Sequence, residues 1–205
     1  MARVNIRPGE DNMVSLAKGQ SVSLAKNNGD ALTKVIMGLG WDVKQKKGFF
    51  GSLLGGADEI DLDASCLLFN AQGQPLEAIW FGQLRSEDGS IVHTGDNRTG
   101  DGDGDDEQII VDLPRVPAEV QTMVFTVNSF QGDTFDRIEN AFCRLVDATT
   151  GQEMARYDLT GSGSHTAQIM AKLTRSGSGW TMTAVGAITS GRTFHDMMPA
   201  IVRTL

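Results

Sequence analysis

Apolar and polar residues alternate along most of this chain with a period of about two, the signature of half-buried strands rather than helices. The pattern predicts strands over residues 21–24, 33–39, 61–69, 76–81, 91–93, 108–113, 120–127, 141–146, 153–159, 166–174 and 180–187. Turn-forming runs separate them. Asn70-Ala71-Gln72-Gly73-Gln74 joins 61–69 to 76–81 as a hairpin, and Arg175 to Gly179 joins the last two strands. One helical turn is expected over 134–138 and one terminal helix over 193–205, capped by Thr193 or Ser190. Many short strands and little helix imply an all-β fold, a sandwich of two mainly antiparallel sheets with a few short helical turns. No linker or tandem repeat divides the chain, so residues 1–205 read as a single domain. A Gly-rich basic loop at about 44–57 interrupts it.

Composition narrows the class. The chain is 40% hydrophobic and 21% charged, enough apolar residues for a packed core and too few charges for disorder. A pI near 4.8 argues against nucleic acid as a partner, since phosphate binding needs a basic face. No apolar run approaches the roughly 18–20 residues of a membrane-spanning helix, and the first residues lack the apolar core of a secretion signal. A cytoplasmic protein is therefore expected, with Cys66 and Cys143 as buried free thiols. Two cysteines and three scattered histidines make no zinc pattern.

The candidate chemistry is acidic. Gly95 to Glu107 holds six carboxylates and one cation, Arg98, which places −5 of the chain's net −8 in one loop between two apolar strands. So many like charges repel unless a cation sits among them, and mixed oxygen ligands on a Gly-rich frame suit calcium. Alternation aims Asp101 and Asp103 partly outward and leaves the carbonyls of Gly100 and Gly102 inward. Asp96, Asn97, Asp105 and Glu107 bracket the turn, with Asp106 as a further candidate. The loop fails as an EF-hand, because Asp106 stands where glycine is needed and no helix flanks it. A second acidic segment runs from Asp58 to Ser65. Asp61 and Asp63 are two apart, so they share a strand face opposite Ile60 and Leu62. Asp42, at the expected end of a strand, is a third candidate.

Taken together, Val14 to Gly19, Val22-Ser23-Leu24, Gly38-Leu39-Gly40-Trp41-Asp42, Asp61-Leu62-Asp63-Ala64-Ser65, His93 to Asn97, Gly100 to Glu107, Asn140 to Arg144 and Gly179-Trp180 resemble the TerD family, named for bacterial tellurium resistance. The match runs in order over about residues 10–190. The resemblance implies a β-sandwich that binds two calcium ions in one site and serves in a stress response. It further implies cytoplasmic proteins that gather with other stress-response proteins and with a membrane-protein complex near the inner membrane face. The binding set it implies is Asp96, Asn97, Asp105 and Glu107, closed by Asp61, Asp63 and Asp42, with no catalytic residue. Gly100, Gly102 and Asp106 join the expected set from the loop pattern itself.

Two other functions compete with a non-enzymatic calcium module. A metal-dependent hydrolase would use the acidic clusters to activate water. A calcium-dependent membrane or glycan attachment module would use Phe49-Phe50 and the lysines before them. Nucleophilic catalysis has no support, because Gly161 to His165 lacks the strand-to-helix setting of a nucleophile elbow. His93 is expected either to pack at a strand end or to donate to a carboxylate. Trp41, Trp80-Phe81 and Trp180 are expected to fill strand faces.

Overall fold

A computed structural model describes residues 14–25, 29–43, 60–95, 104–159 and 163–205. Among these residues, twelve strands form two six-stranded sheets. The first sheet runs, in spatial order, β1 (Val14–Ser15), β10 (Glu153–Asp158), β9 (Ile138–Asp147), β3 (Lys34–Val43), β7 (Glu107–Asp112) and β6 (Ile91–His93). The second runs β2 (Ser21–Ser23), β12 (Gly179–Thr189), β11 (Ala167–Ser176), β8 (Thr122–Ser129), β4 (Leu62–Phe69) and β5 (Pro75–Ile79). Every described pair is antiparallel except β1 with β10. The fold is an all-β sandwich with one helix, α1 (Phe194–Val202), and 3-10 turns at Leu113–Arg115 and Phe135–Arg137. The expected calcium-loop residues 96–103, the basic loop and most of the Asp58 segment's lead-in lie outside the described residues.

Alternation fills the space between the sheets. Val35, Met37, Leu39 and Trp41 point inward from β3, and Leu62, Ala64, Cys66 and Leu68 meet them from β4. A second, smaller cluster lies on the other side of β4, where Leu67 and Phe69 pack with Phe194, Met197 and Ile201 of α1. Every residue of β4 is consequently buried, on one face by the facing sheet and on the other by the helix side. The Asp196 carboxylate accepts the Thr193 N–H at 3.3 Å and the Arg192 N–H at 2.8 Å, which fixes the start of α1. The β4–β5 turn is built as its sequence suggests, with Asn70 Oδ1 accepting the N–H groups of Gln72 and Gln74.

The main departure from expectation is at β3. It runs four residues beyond the expected end at 39, to Val43. Gly38 and Gly40 look like breakers in sequence, yet both sit inside the strand. They face away from the core, where other groups lie so close that no side chain fits. Trp41 continues the inward series and is 3% exposed, with its Nε1–H donating to the buried Ile60 carbonyl at 3.1 Å. Trp41→Phe removes that donor and leaves a buried carbonyl unpaired. We expect a loss of about 1–3 kcal/mol in chemical denaturation, with an unchanged slope. Trp180 is a core residue beneath the Arg175 guanidinium, whereas Trp80 is half-buried among Phe81, Phe194 and His195.

Both cysteines are buried and free. Burial pushes the Cys143 thiol up to about 12 and raises Cys66 further, so neither offers a thiolate.

Candidate metal centre

The acidic loop rejoins the first sheet through backbone clamps. The Asp106 N–H donates to the Leu39 carbonyl at 2.8 Å, and the Trp41 N–H donates to Asp106 Oδ2 at 2.9 Å. The loop exit is thereby stitched onto β3 at the point where β7 begins.

Three consecutive carboxylates leave this point with three separate fates. Asp105 folds over the outer face of β3. Its Oδ1 accepts Arg144 Nε–H at 2.7 Å and its Oδ2 accepts Gln108 Nε2–H at 3.2 Å, and its side chain is 1% exposed. Gly38 is the floor of this arrangement, since a Cβ there would lie 2.2 Å from Asp105 Oδ2. Gly40 is covered next door by the Gly104 carbonyl and the Phe142 ring.

Glu107, the first residue of β7, turns inward and is 0% exposed. Its Oε2 accepts the Ala64 N–H at 2.7 Å. His93 lies beside it, with Nε2 3.2 Å from the Ala64 carbonyl and 3.5 Å from Glu107 Oε2. The Gly95 N–H donates to His93 Nδ1, so the ring proton is on Nε2 and is offered to that carbonyl and carboxylate. The reason is found in the sheet. β5 pairs with β4 only from Cys66 onward, so the backbone of Ala64 has no ladder partner on that side. Glu107 and His93 together supply the acceptor and the donor that a neighbouring strand would have given. His93 is thus packed at the strand end, hydrogen-bonded to the Ala64 carbonyl and in contact with the Glu107 carboxylate.

Asp106 lies between these two and is half-buried. Burial raises its carboxyl pKa, and the charges of Asp42, Asp105 and Glu107 raise it further, against the opposing Trp41 N–H. Asp42 stands on the outer side of β3 and accepts Asn140 Nδ2–H at 2.7 Å. Asn140 has φ of 54°, the one non-glycine residue among those described with a left-handed backbone, beside the register shift between Gly40 and Asp42.

The second acidic segment is placed differently. Asp61 and Asp63 share one face as expected, but it is the helix side of β4 and not water. Asp63 is 4% exposed, paired across the ladder with Asn128, whose Nδ2 lies 3.4 Å from Asp63 Oδ2 and 2.7 Å from the Arg192 carbonyl. The Glu107 bond to Ala64 brings the two acidic segments to one end of the sandwich. Even so, Asp105 faces out from the first sheet, Glu107 faces the interior and Asp63 faces α1. Among the described residues, no three His, Cys, Asp or Glu side chains converge as a ligand set. Asp42 and Asp106 are the described carboxylates that border the loop, and Asp96, Asn97, Gly100 and Gly102 are outside the described residues. Sequence reasoning did not single out Arg144, Gln108 or the Ala64 backbone. Only the Gly-x-Gly of β3 hinted that something presses on that face.

Comparison with known proteins places this architecture. The TerD domain family model matches residues 13–198. The chain is similar to "Tellurium resistance protein TerZ" of Serratia marcescens, 53% identical over 190 residues, covering 93% of this chain and 97% of that protein. It is also similar to "Stress response protein SCP2" of Bacillus subtilis (strain 168), 42% identical over 199 residues, with 92% of this chain and 99% of that protein covered. Among solved structures, the crystal structure of an unknown function protein, SAV2460, superposes with a TM-score of 0.63 at 26% identity. It covers 79% of this chain and 91% of that one. With a full sandwich and a family match over nearly its whole length, the chain belongs to the TerD family.

Proposed function

We propose that this protein is a non-enzymatic calcium-binding component of a bacterial stress response of the tellurium-resistance type, in which the ion orders the acidic loop into a surface for protein partners. The roles for which these relatives are named, tellurium resistance and stress response, support the biological setting. The observation that carries the calcium reading is the clamp at the loop exit. It fixes the Asp106 carboxylate next to Asp42 at the border of the densest run of carboxylates in the chain.

The donor chemistry fits the ion. Carboxylates and carbonyls are hard oxygen ligands of the kind calcium takes in sets of about six to eight. Asp42 and Asp106 would contribute from the sheet, and Asp96, Asn97 and the carbonyls of Gly100 and Gly102 from the loop. Bound calcium supplies positive charge that offsets the repulsion among these groups. The chain's own residues position Asp106 through the Trp41 N–H and Asp42 through Asn140 Nδ2. Among the described residues no helix is long and apolar enough to cross a membrane.

Calorimetric titration with calcium tests the reading. Wild type is expected to bind more tightly than about millimolar, the weak end of protein calcium sites. Asp106→Asn should weaken binding at least tenfold. Heat-free titration of the wild type would remove the proposal.

The pH dependence has a definite sign. A carboxyl whose pKa is raised by folding favours the folded state when protonated, and that contribution fades as pH rises through the raised value. In chelator at neutral pH, Asp106→Asn should therefore melt higher than wild type. The difference should close as pH falls below the ordinary carboxylate range, and melting curves at stepped pH read it directly.

A further inference from the structure

We infer that Arg144 occupies the place of a cation: its guanidinium neutralises Asp105 and Glu153, withholds Asp105 from calcium and so limits how many ions this end of the sandwich takes. The inference rests on the calcium reading for its setting, but its geometry stands alone.

Gly38 of β3 pairs with Gln108 of β7 on one side and Arg144 of β9 on the other. The three residues form a row across the outer face of the sheet with no side chain in the middle. Asp105 lies in that gap, and a donor from each flanking strand takes one of its oxygens. A carboxylate in the midst of the acidic run is thus fully engaged by the protein and closed to solvent. On its far side the same guanidinium reaches β10, where Nη1 donates to Glu153 Oε2 at 3.0 Å. One positive charge therefore serves two carboxylates, and Glu153 Oε1 is buried with no hydrogen-bond partner among the described residues. The Phe142 ring flanks the group, with the Arg144 guanidinium carbon 6.0 Å from its centroid and that of Arg156 at 3.7 Å. Arg156, opposite Arg144 in the ladder, is paired with Asp158. Without Arg144, Asp105 and Glu153 would share a partly dry groove with no guanidinium bonded to either, the condition that draws in a divalent cation.

A positioning role of this kind changes the number of ions bound, which a purely structural role does not. Calcium titrations of the full chain should compare wild type with Arg144→Gln, Arg144→Lys, Asp105→Asn and the double variant Asp105→Asn/Arg144→Gln. Arg144→Gln is expected to bind one ion more than wild type, with a dissociation constant of about a millimolar. Arg144→Lys keeps the charge and the wild-type count, and the double variant loses the extra ion. Asp105→Asn should alter the wild-type affinity by less than about threefold, since its carboxylate is not a ligand. An unchanged count in a folded Arg144→Gln protein overturns the inference, as does a tenfold loss of affinity in Asp105→Asn. Should Arg144→Gln fail to fold, the Asp105→Asn affinity and the Arg144→Lys count still decide. A wild type that binds no calcium overturns the functional proposal instead; this inference then predicts one ion in Arg144→Gln where wild type binds none, and its absence there sinks it too.

Discussion

Replacing Gly38 by alanine should lower the melting temperature by about 10 °C, one of the two largest effects expected of a single substitution here. The added Cβ would lie 2.2 to 2.4 Å from the carboxylate atoms of Asp105. Asp105 is not a floppy neighbour able to step aside, because Arg144 and Gln108 hold both its oxygens. The substitution must either bend β3 or expel Asp105 from its groove. Overpacking alone costs about 1–3 kcal/mol. Expelling Asp105 also leaves Arg144 with one carboxylate in place of two. In a domain of this size each kcal/mol corresponds to about 2–4 °C. Gly179→Ala is the control, since a Cβ there meets nothing within 4 Å and the backbone is ordinary. Circular dichroism melts of the two variants, in chelator, would read the difference. Equal melting temperatures would show that Asp105 is not packed against β3.

Glu107→Leu should cost about 3 kcal/mol in guanidinium denaturation, whether or not calcium is present. Leucine nearly matches the volume but accepts no hydrogen bond. The Ala64 N–H, which has only the Glu107 carboxylate where a ladder partner would be, is left buried and unpaired. Amide exchange gives a second, local readout. Protection should fall first at Ala64 and its neighbours in β4, while the β11–β12 hairpin keeps its protection. A variant as stable as wild type would mean that water or a backbone shift satisfies Ala64 instead. Glu107 would then return to the pool of candidate ligands.

The contrast between these two residues shows how far charge density can mislead. Asp105, Asp106 and Glu107 are adjacent and chemically alike, and the sequence treats them as one acidic cluster. β7 begins only at Glu107, so alternation does not govern Asp105. Glu107 goes into the sandwich with the strand, while Asp105, still in the loop exit, folds over the outside onto Arg144 and Gln108. Each meets a different surface, one a bare strand edge and the other a glycine groove. The Asp61 and Asp63 pair tells the same story. Their common face follows from the period of two. That α1 lies on that side, and makes their setting buried rather than wet, depends on where residues 194–202 dock.

Much of the architecture was legible in the chain. Alternation located most strands, because one face meets a core and the other does not; β4 and β8, buried on both faces, read instead as short apolar runs bounded by turns. Asn70 to Gln74 gave its hairpin through side-chain to backbone bonds that need no tertiary partner. The errors fell where a distant group overrides local preference. β3 continues through two glycines because Asp105 and Phe142 cover them from outside, a contact of residues more than sixty apart in sequence. β1, two residues long, forms because β10 offers it an edge.

By itself, then, the sequence determined the all-β class, the inward series of each strand, the family and the concentration of negative charge in one loop. These follow from local periodicity, composition and motif order. The tertiary structure alone decided which carboxylates are held by the protein and which border the loop, since that depends on Arg144, Ala64, Trp41 and Asn140 arriving from other strands. A carboxylate's chemistry is set by the donors within about 3 Å of it, and those donors are brought there by folding.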